Sequence, residues 1–163
     1  MKITAKDIEV ALTCNINSPF YMRRWIVLPN VYWSLEDHEC DILAVSSSNY
    51  AHEIEIKIST SDLKRDFDKH LFHKSLGNKV KCLWFAAPLE MQDAMFELLP
   101  DYCGIITVNE NLKTKIERKA KSILDARKFN DKEIRTFARV AAMRYWNLRM
   151  KIYKEKLEIN ENT

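Results

Sequence analysis

Glu53-Ile54-Glu55-Ile56-Lys57, with Asp41 upstream, holds the residue types and spacing for phosphate chemistry. Read as a strand, the run turns Glu53, Glu55 and Lys57 to one face and Ile54, Ile56 and Ile58 to the other. The order Asp, then Glu-x-Lys suits a divalent cation and the charge on a phosphate under attack. Asp41–Ser46 and Tyr50–Ile58 read as two strands around the turn Ser47-Ser48-Asn49. With the turn centred on Ser48, cross-strand partners have numbers that add to a constant. Asp41 then faces Glu55, Glu39 faces Lys57, and Glu53 faces Leu43. Directly opposed side chains have Cβ atoms about 4.5–5.5 Å apart. Two carboxylates that close repel unless a cation or a proton lies between them. Magnesium takes one or two carboxylates, keeps several waters and binds substrate phosphate. Lys57 is then placed to orient or activate water and to neutralise developing charge. A slip of one residue would send the set to opposite faces. A solvated strand face with a Glu39–Lys57 surface pair alternates in the same way. The buried strands that follow favour a site, because polar groups facing into a covered sheet need a reason.

The elements that must position these residues follow from local signals. Thr4, with Asp7 three positions on, caps a first helix that ends by Asn15–Pro19. Tyr21–Leu28 and Val31–Leu35 are β-rich and separated by Pro29-Asn30. Ser59, Thr60 or Ser61 caps a helix running to about Leu76, with Asp62 in its first turn and Gly77-Asn78 as its stop. Val80–Ala87 is an apolar run bounded by Pro88, Leu89–Leu99 a short helix ended by Pro100, and Ile105–Val108 a second buried strand. Lys113–Arg118 reads as an edge strand, and Asn130 with Glu133 opens a long helix. The order αβββαβαβ(β)α is that of an α/β domain with a central mixed sheet. We expect one domain over 1–125 and an amphipathic C-terminal helix over 126–163, packed on the domain or at an oligomer interface.

Composition narrows the classes. With 163 residues, 47% hydrophobic and 30% charged, the chain has the length and make-up of one globular domain. Its two glycines leave no GxGxxG and no GxxxxGK[ST] loop. A formal charge of +3 permits nucleic-acid binding without demanding it. Cys14, Cys40, Cys82 and Cys103 form no CxxC pair, which argues against a zinc site or a disulfide framework. With no leader pattern and no apolar run of membrane-spanning length, the expectation is a cytoplasmic protein without a membrane segment.

Asp41, then Glu55-Ile56-Lys57, then a helix and a buried strand, resembles the PD-(D/E)xK, or restriction-endonuclease-like, nuclease superfamily. The run from Glu55 to Lys69 is similar to the E-I-K-S-x-x-D-F-x-x-D-x-K segment of MmcB-like DNA repair proteins and related phage nucleases. Trp84–Pro88, Leu99–Ile106 and Arg118–Lys121 resemble later blocks of that group. Cys40 stands where a proline often precedes the aspartate, and His70 where an aromatic residue is common. The resemblance implies an αβββαβ core and Mg²⁺- or Mn²⁺-dependent hydrolysis of DNA, in repair, recombination or phage DNA processing. It implies that Asp41 and Glu55 hold the metal and that Lys57 assists. A non-catalytic module of the same fold, binding DNA or protein, and an RNA-directed nuclease are the alternatives.

Further candidates surround this set. Glu9 on the first helix is either a solvated residue or an extra metal ligand of the kind some superfamily members use. Glu53 reads as an edge residue facing Leu43 or as an additional metal ligand, and Lys69 as a surface lysine or a contact to phosphate or the active centre. His70 and His73 stand three apart on a helix but lack a third ligand nearby. His52 points away from the carboxylates. On the long helix, Ile134, Phe137, Ala138, Ala141, Tyr145, Leu148 and Ile152 form an apolar stripe suited to core packing or a homodimer. Arg135, Arg139, Trp146 and Arg149 lie beside it, as a solvated basic face or a nucleic-acid contact.

Overall fold

A computed structural model describes residues 2–31, 39–70 and 77–161; the side chains of 66–70 and 156–161 fall outside that description. The residues form two compact units, Met1–Phe129 and Asn130–Thr163. Helix α1 (Ala5–Thr13) starts at a capping box. The Thr4 hydroxyl accepts the Asp7 amide at 3.2 Å, and the Asp7 carboxylate accepts the Thr4 amide at 2.9 Å. Ile8, Ala11 and Leu12, at helical spacing, are buried against the sheet.

The sheet has six strands in chain order: β1 (Ile26–Val31), β2 (Cys40–Val45), β3 (Ala51–Ile56), β4 (Val80–Pro88), β5 (Gly104–Val108) and β6 (Thr114–Arg118). β1 to β3 are antiparallel, β3 to β5 parallel, and β5 with β6 antiparallel. Parallel neighbours need crossovers, supplied by α2 (Thr60–His70) and α3 (Gln92–Leu98). Both crossovers step the same way across the sheet, so right-handedness puts both helices on one face. Accordingly Leu63 of α2 and Met95 of α3 share a buried cluster with Leu83, Phe85 and Ile105. On the other face α1 packs with Ile42, Ala44, Ile54, Ile56, Trp84 and Ile106. Covering on both faces is why the central strands read as nearly unbroken apolar runs. Only glycine fits at Gly104, where an added Cβ would run into the Trp84 ring.

Pro29-Asn30 is not the strand break the sequence suggests. β1 runs through it, pairing Pro29 with Ile42 and Val31 with Cys40. β1 lies at the sheet edge, where proline's missing donor is tolerated, and Asn30 takes φ 48°. Upstream, residues 22–25 form turns and a bend, not the expected strand start. The expected strand residues 32–35 lie outside the described residues.

The second unit is α4 (Asp131–Glu161), a helix of 31 residues. Asn130 Oδ1 accepts the Glu133 amide at 3.0 Å, and Glu133 Oε2 accepts the Asn130 amide at 2.9 Å. Residues 126–129, expected with this helix, belong to the first unit. The Arg127 amide donates to the Asn78 carbonyl at 2.6 Å and the Phe129 amide to the Asn49 carbonyl at 2.8 Å. The boundary therefore falls at Asn130. Among the described residues no helix is long and apolar enough to cross a membrane.

Candidate active site

β2 and β3 pair in the register that the hairpin arithmetic gives. Ile42 faces Ile54, Leu43 faces Glu53, Ala44 faces His52 and Val45 faces Ala51. The turn closes through the Ser46 amide donating to the Tyr50 carbonyl at 2.9 Å, with Asn49 at φ 65°. Asp41 and Glu55 come next in this register, just past the last ladder pair. There Asp41 Oδ2 accepts the Ile56 amide at 2.7 Å. The Lys57 amide turns the other way and donates to the Ala86 carbonyl of β4 at 2.9 Å. The end of β3 is thus gripped from both neighbouring strands, which fixes where Glu55 and Lys57 project.

Lys57 Nζ donates to Glu55 Oε2 at 3.0 Å, with both side chains almost wholly buried. Burial pushes the Glu55 carboxyl up to about 8; Lys57 opposes the rise, and the charges of Glu53 and Asp41 add to it. Asp41, Glu53, Glu55 and Lys57 therefore act on one another as one electrostatic cluster.

Several expectations change here. Glu53 is no edge residue: it is completely buried on a central strand, between Leu43 of β2 and Leu83 of β4. Glu39 is exposed and precedes β2, so the expected Glu39–Lys57 ladder pair is not formed, and Glu55 holds the lysine head group. Ile58 is exposed, because the chain leaves the strand after Ile56. Glu9 belongs to α1, on the face opposite Glu55. It pairs with Lys6 at 2.6 Å and lines a recess with Val27, Pro29 and Ile42. The side chains of Lys69 and His70, at the end of α2, lie outside the described residues, as does all of His73. Arg135, Arg139, Trp146 and Arg149 are exposed on α4, in the second unit.

His52 points away from the carboxylates, as alternation requires. Its Nδ1 accepts the Trp84 indole at 3.2 Å, with Phe20 and Trp25 edge-on. Burial, then the Lys81 charge, pushes its pKa down to about 4.

Two neighbours of the cluster escaped the sequence reading. Asn30 falls between the ladder pairs Pro29–Ile42 and Val31–Cys40, across from Asp41. Its signal was the Pro-Asn pair, which reads as a break unless the strand is known to be an edge. Thr107 is buried at the end of β5 on the Glu55 face and donates to Glu117 Oε1 at 2.8 Å. The other Glu117 oxygen takes Lys115 Nζ at 2.9 Å. A lone threonine in an apolar strand was the available signal. These residues line the edge formed by the carboxyl ends of the parallel strands, where open α/β sheets bind ligands.

Among the described residues no group of three or more His, Cys, Asp or Glu side chains is arranged to hold a metal ion. The donors that fit are the two carboxylates Asp41 and Glu55. Their oxygen-only character and number suit magnesium or manganese.

No family model matches the chain, and no curated protein does. Among solved structures it is similar to the SPO1766 protein of unknown function from Silicibacter pomeroyi. The TM-score is 0.58 at 20% identity, covering 78% of this chain and 82% of that one. The likeness is one of fold.

Proposed function

We propose that this chain is a metal-dependent nuclease with a restriction-endonuclease-like core. It hydrolyses DNA phosphodiester bonds with Mg²⁺ or Mn²⁺, in DNA repair, recombination or phage DNA processing. The burial of Glu55 and Lys57 in contact, next to Asp41, carries this reading. Buried charges cost several kcal/mol each, roughly, before pairing offsets the loss. A merely solvated strand face would not bury them. The motif order Asp41, Glu55, Lys57 and its likeness to the PD-(D/E)xK pattern support the same conclusion.

Asp41 and Glu55 are the ligands in this proposal. When bound, the cation supplies Lewis-acid polarisation of the phosphate and a lowered pKa for the attacking water. Glu55 accepts from Lys57 and so aims the ammonium along the strand end, where phosphate would lie. There Lys57 donates to the water or a phosphate oxygen and offsets charge as it develops. Asp41, bonded to the Ile56 amide, ties its own carboxylate to the backbone that carries Glu55 and Lys57.

The test incubates wild type, Lys57→Ala and Glu55→Gln with single-stranded, double-stranded and branched DNA, and with RNA, plus Mg²⁺ or Mn²⁺. Wild type is expected to cut DNA, and each variant to lose about 10²- to 10³-fold in rate. Equal cutting by all three would remove these residues from the chemistry. Cutting of RNA alone would change the substrate class. Metal-dependent cutting of nothing, with DNA or protein binding intact, would make the chain a non-catalytic module.

A further inference from the structure

Helix α4 carries an apolar row that the proposed nuclease site does not use. Ala141, Tyr145, Leu148 and Ile152 follow at intervals of four, three and four, and Ile134 and Ala138 continue the pattern toward the N-terminus. That spacing is a heptad seam, the pattern by which one helix packs along another. Its large members are uncovered: Tyr145 is 53% exposed, Leu148 56% and Ile152 43%.

The flanks decide what covers it. Residues beside a seam face the flanks of the partner helix. Here they are Phe137, Arg144 and Lys151 on one side and Arg135, Ala142 and Arg149 on the other, four cations among six positions. From Arg135 to Lys154 the helix has six cations and no carboxylate. Two parallel copies would set Arg144 against the Arg149 of the other copy. Two antiparallel copies would oppose like flanks, again cation to cation. Like charges in these positions discriminate against self-pairing. A DNA duplex would satisfy the cations but leave the apolar row uncovered. An acidic amphipathic helix satisfies both features.

We propose that α4 docks a helix of a partner protein that has an apolar heptad seam with Asp or Glu on both flanks. A second exposed row, Met143, Trp146, Met150 and Tyr153, serves as a control. Its flanks are Ala142 and Arg149 on one side and Asn147 and Lys154 on the other, so it carries two flanking cations where the seam carries four.

The full chain is titrated with a four-heptad synthetic peptide carrying Leu and Ile in the seam and Glu at every flank. A matched peptide carries Lys at the flanks. Fluorescence anisotropy reads binding, circular dichroism reads helix content, and sedimentation reads the number of copies. The Glu peptide is expected to bind with Kd of about 1–10 μM, weakening about tenfold or more at 1 M salt. The Lys peptide is expected not to bind. Leu148→Glu should weaken the Glu peptide about tenfold or more, and Met150→Glu by less than about threefold. Failure of the Glu peptide to bind overturns the proposal. If the chain is then a stable dimer that Leu148→Glu dissociates, the seam belongs to a second copy. If it instead holds a DNA duplex in a salt-sensitive complex that Leu148→Glu leaves intact, the helix serves nucleic acid.

Discussion

Strand β3 presents two buried faces, and they treat polar groups in opposite ways. On the α1 face, His52 lies among Phe20, Trp25 and Trp84, held neutral by burial and by the Lys81 charge, with its Nδ1 accepting the Trp84 indole. Its nitrogen completes the packing of an otherwise apolar layer. On the α2–α3 face, Glu53, Glu55 and Lys57 are buried as a charged cluster beside Leu43, Leu83 and Phe85. The first face uses its polar atom to satisfy a neighbour. The second concentrates titratable groups, and the proposed nuclease site rests on them.

Substitutions should therefore change stability with opposite sign on the two faces. Ile54→Ala, on the apolar face, removes a fully buried side chain and is expected to cost about 2–5 kcal/mol in urea unfolding. Glu53→Leu, one residue away, is expected to be neutral or to stabilise by up to about 2 kcal/mol. A loss above about 1 kcal/mol for Glu53→Leu would mean that this face, too, is built for stability.

The pH profile of the metal-free protein sharpens the contrast. The Glu55 pKa rises from 4.5 to about 8 on folding, so its contribution is complete below pH 4.5 and is lost as pH rises through 8. The His52 pKa falls from 6.5 to about 4, so its contribution is complete above pH 6.5 and is lost as pH falls through 4. The two slopes oppose each other between pH 4.5 and 6.5, and above 6.5 the Glu55 slope stands alone. Thermal unfolding in EDTA should show Glu55→Gln removing the decline above pH 6.5. An unchanged profile would show that Glu55 titrates normally. The smallest effect concerns His52→Phe, which should flatten the acid limb between pH 6.5 and 4 while changing neutral-pH stability by about 1 kcal/mol or less. An acid limb that survives the substitution would assign it to other groups.

What was legible in the chain was local. The Thr4–Asp7 and Asn130–Glu133 caps formed as read, because a capping box needs only residues three apart. The hairpin register was legible because the short turn 46–50 counts out its own partners. It separated Glu55 from Glu53 and sent His52 to the far side. Depth was not legible. Glu53 read as an edge residue because its burial comes from strands and helices elsewhere in the chain. Lys57 was assigned to Glu39 because the arithmetic extends the ladder indefinitely. The ladder instead ends where the Lys57 amide turns to Ala86 of β4. Pro29-Asn30 read as a break because edge position is a property of the assembled sheet.

By itself, then, the sequence determined the order of elements, their caps, and which residues of β3 share a face. Those follow from bonds and periodicities within a few residues of chain. The tertiary structure decided that the carboxylate face is buried, and that Glu55 rather than Glu39 holds Lys57. Both depend on α2, α3 and β4, which reach that face only when the two right-handed crossovers bring them there.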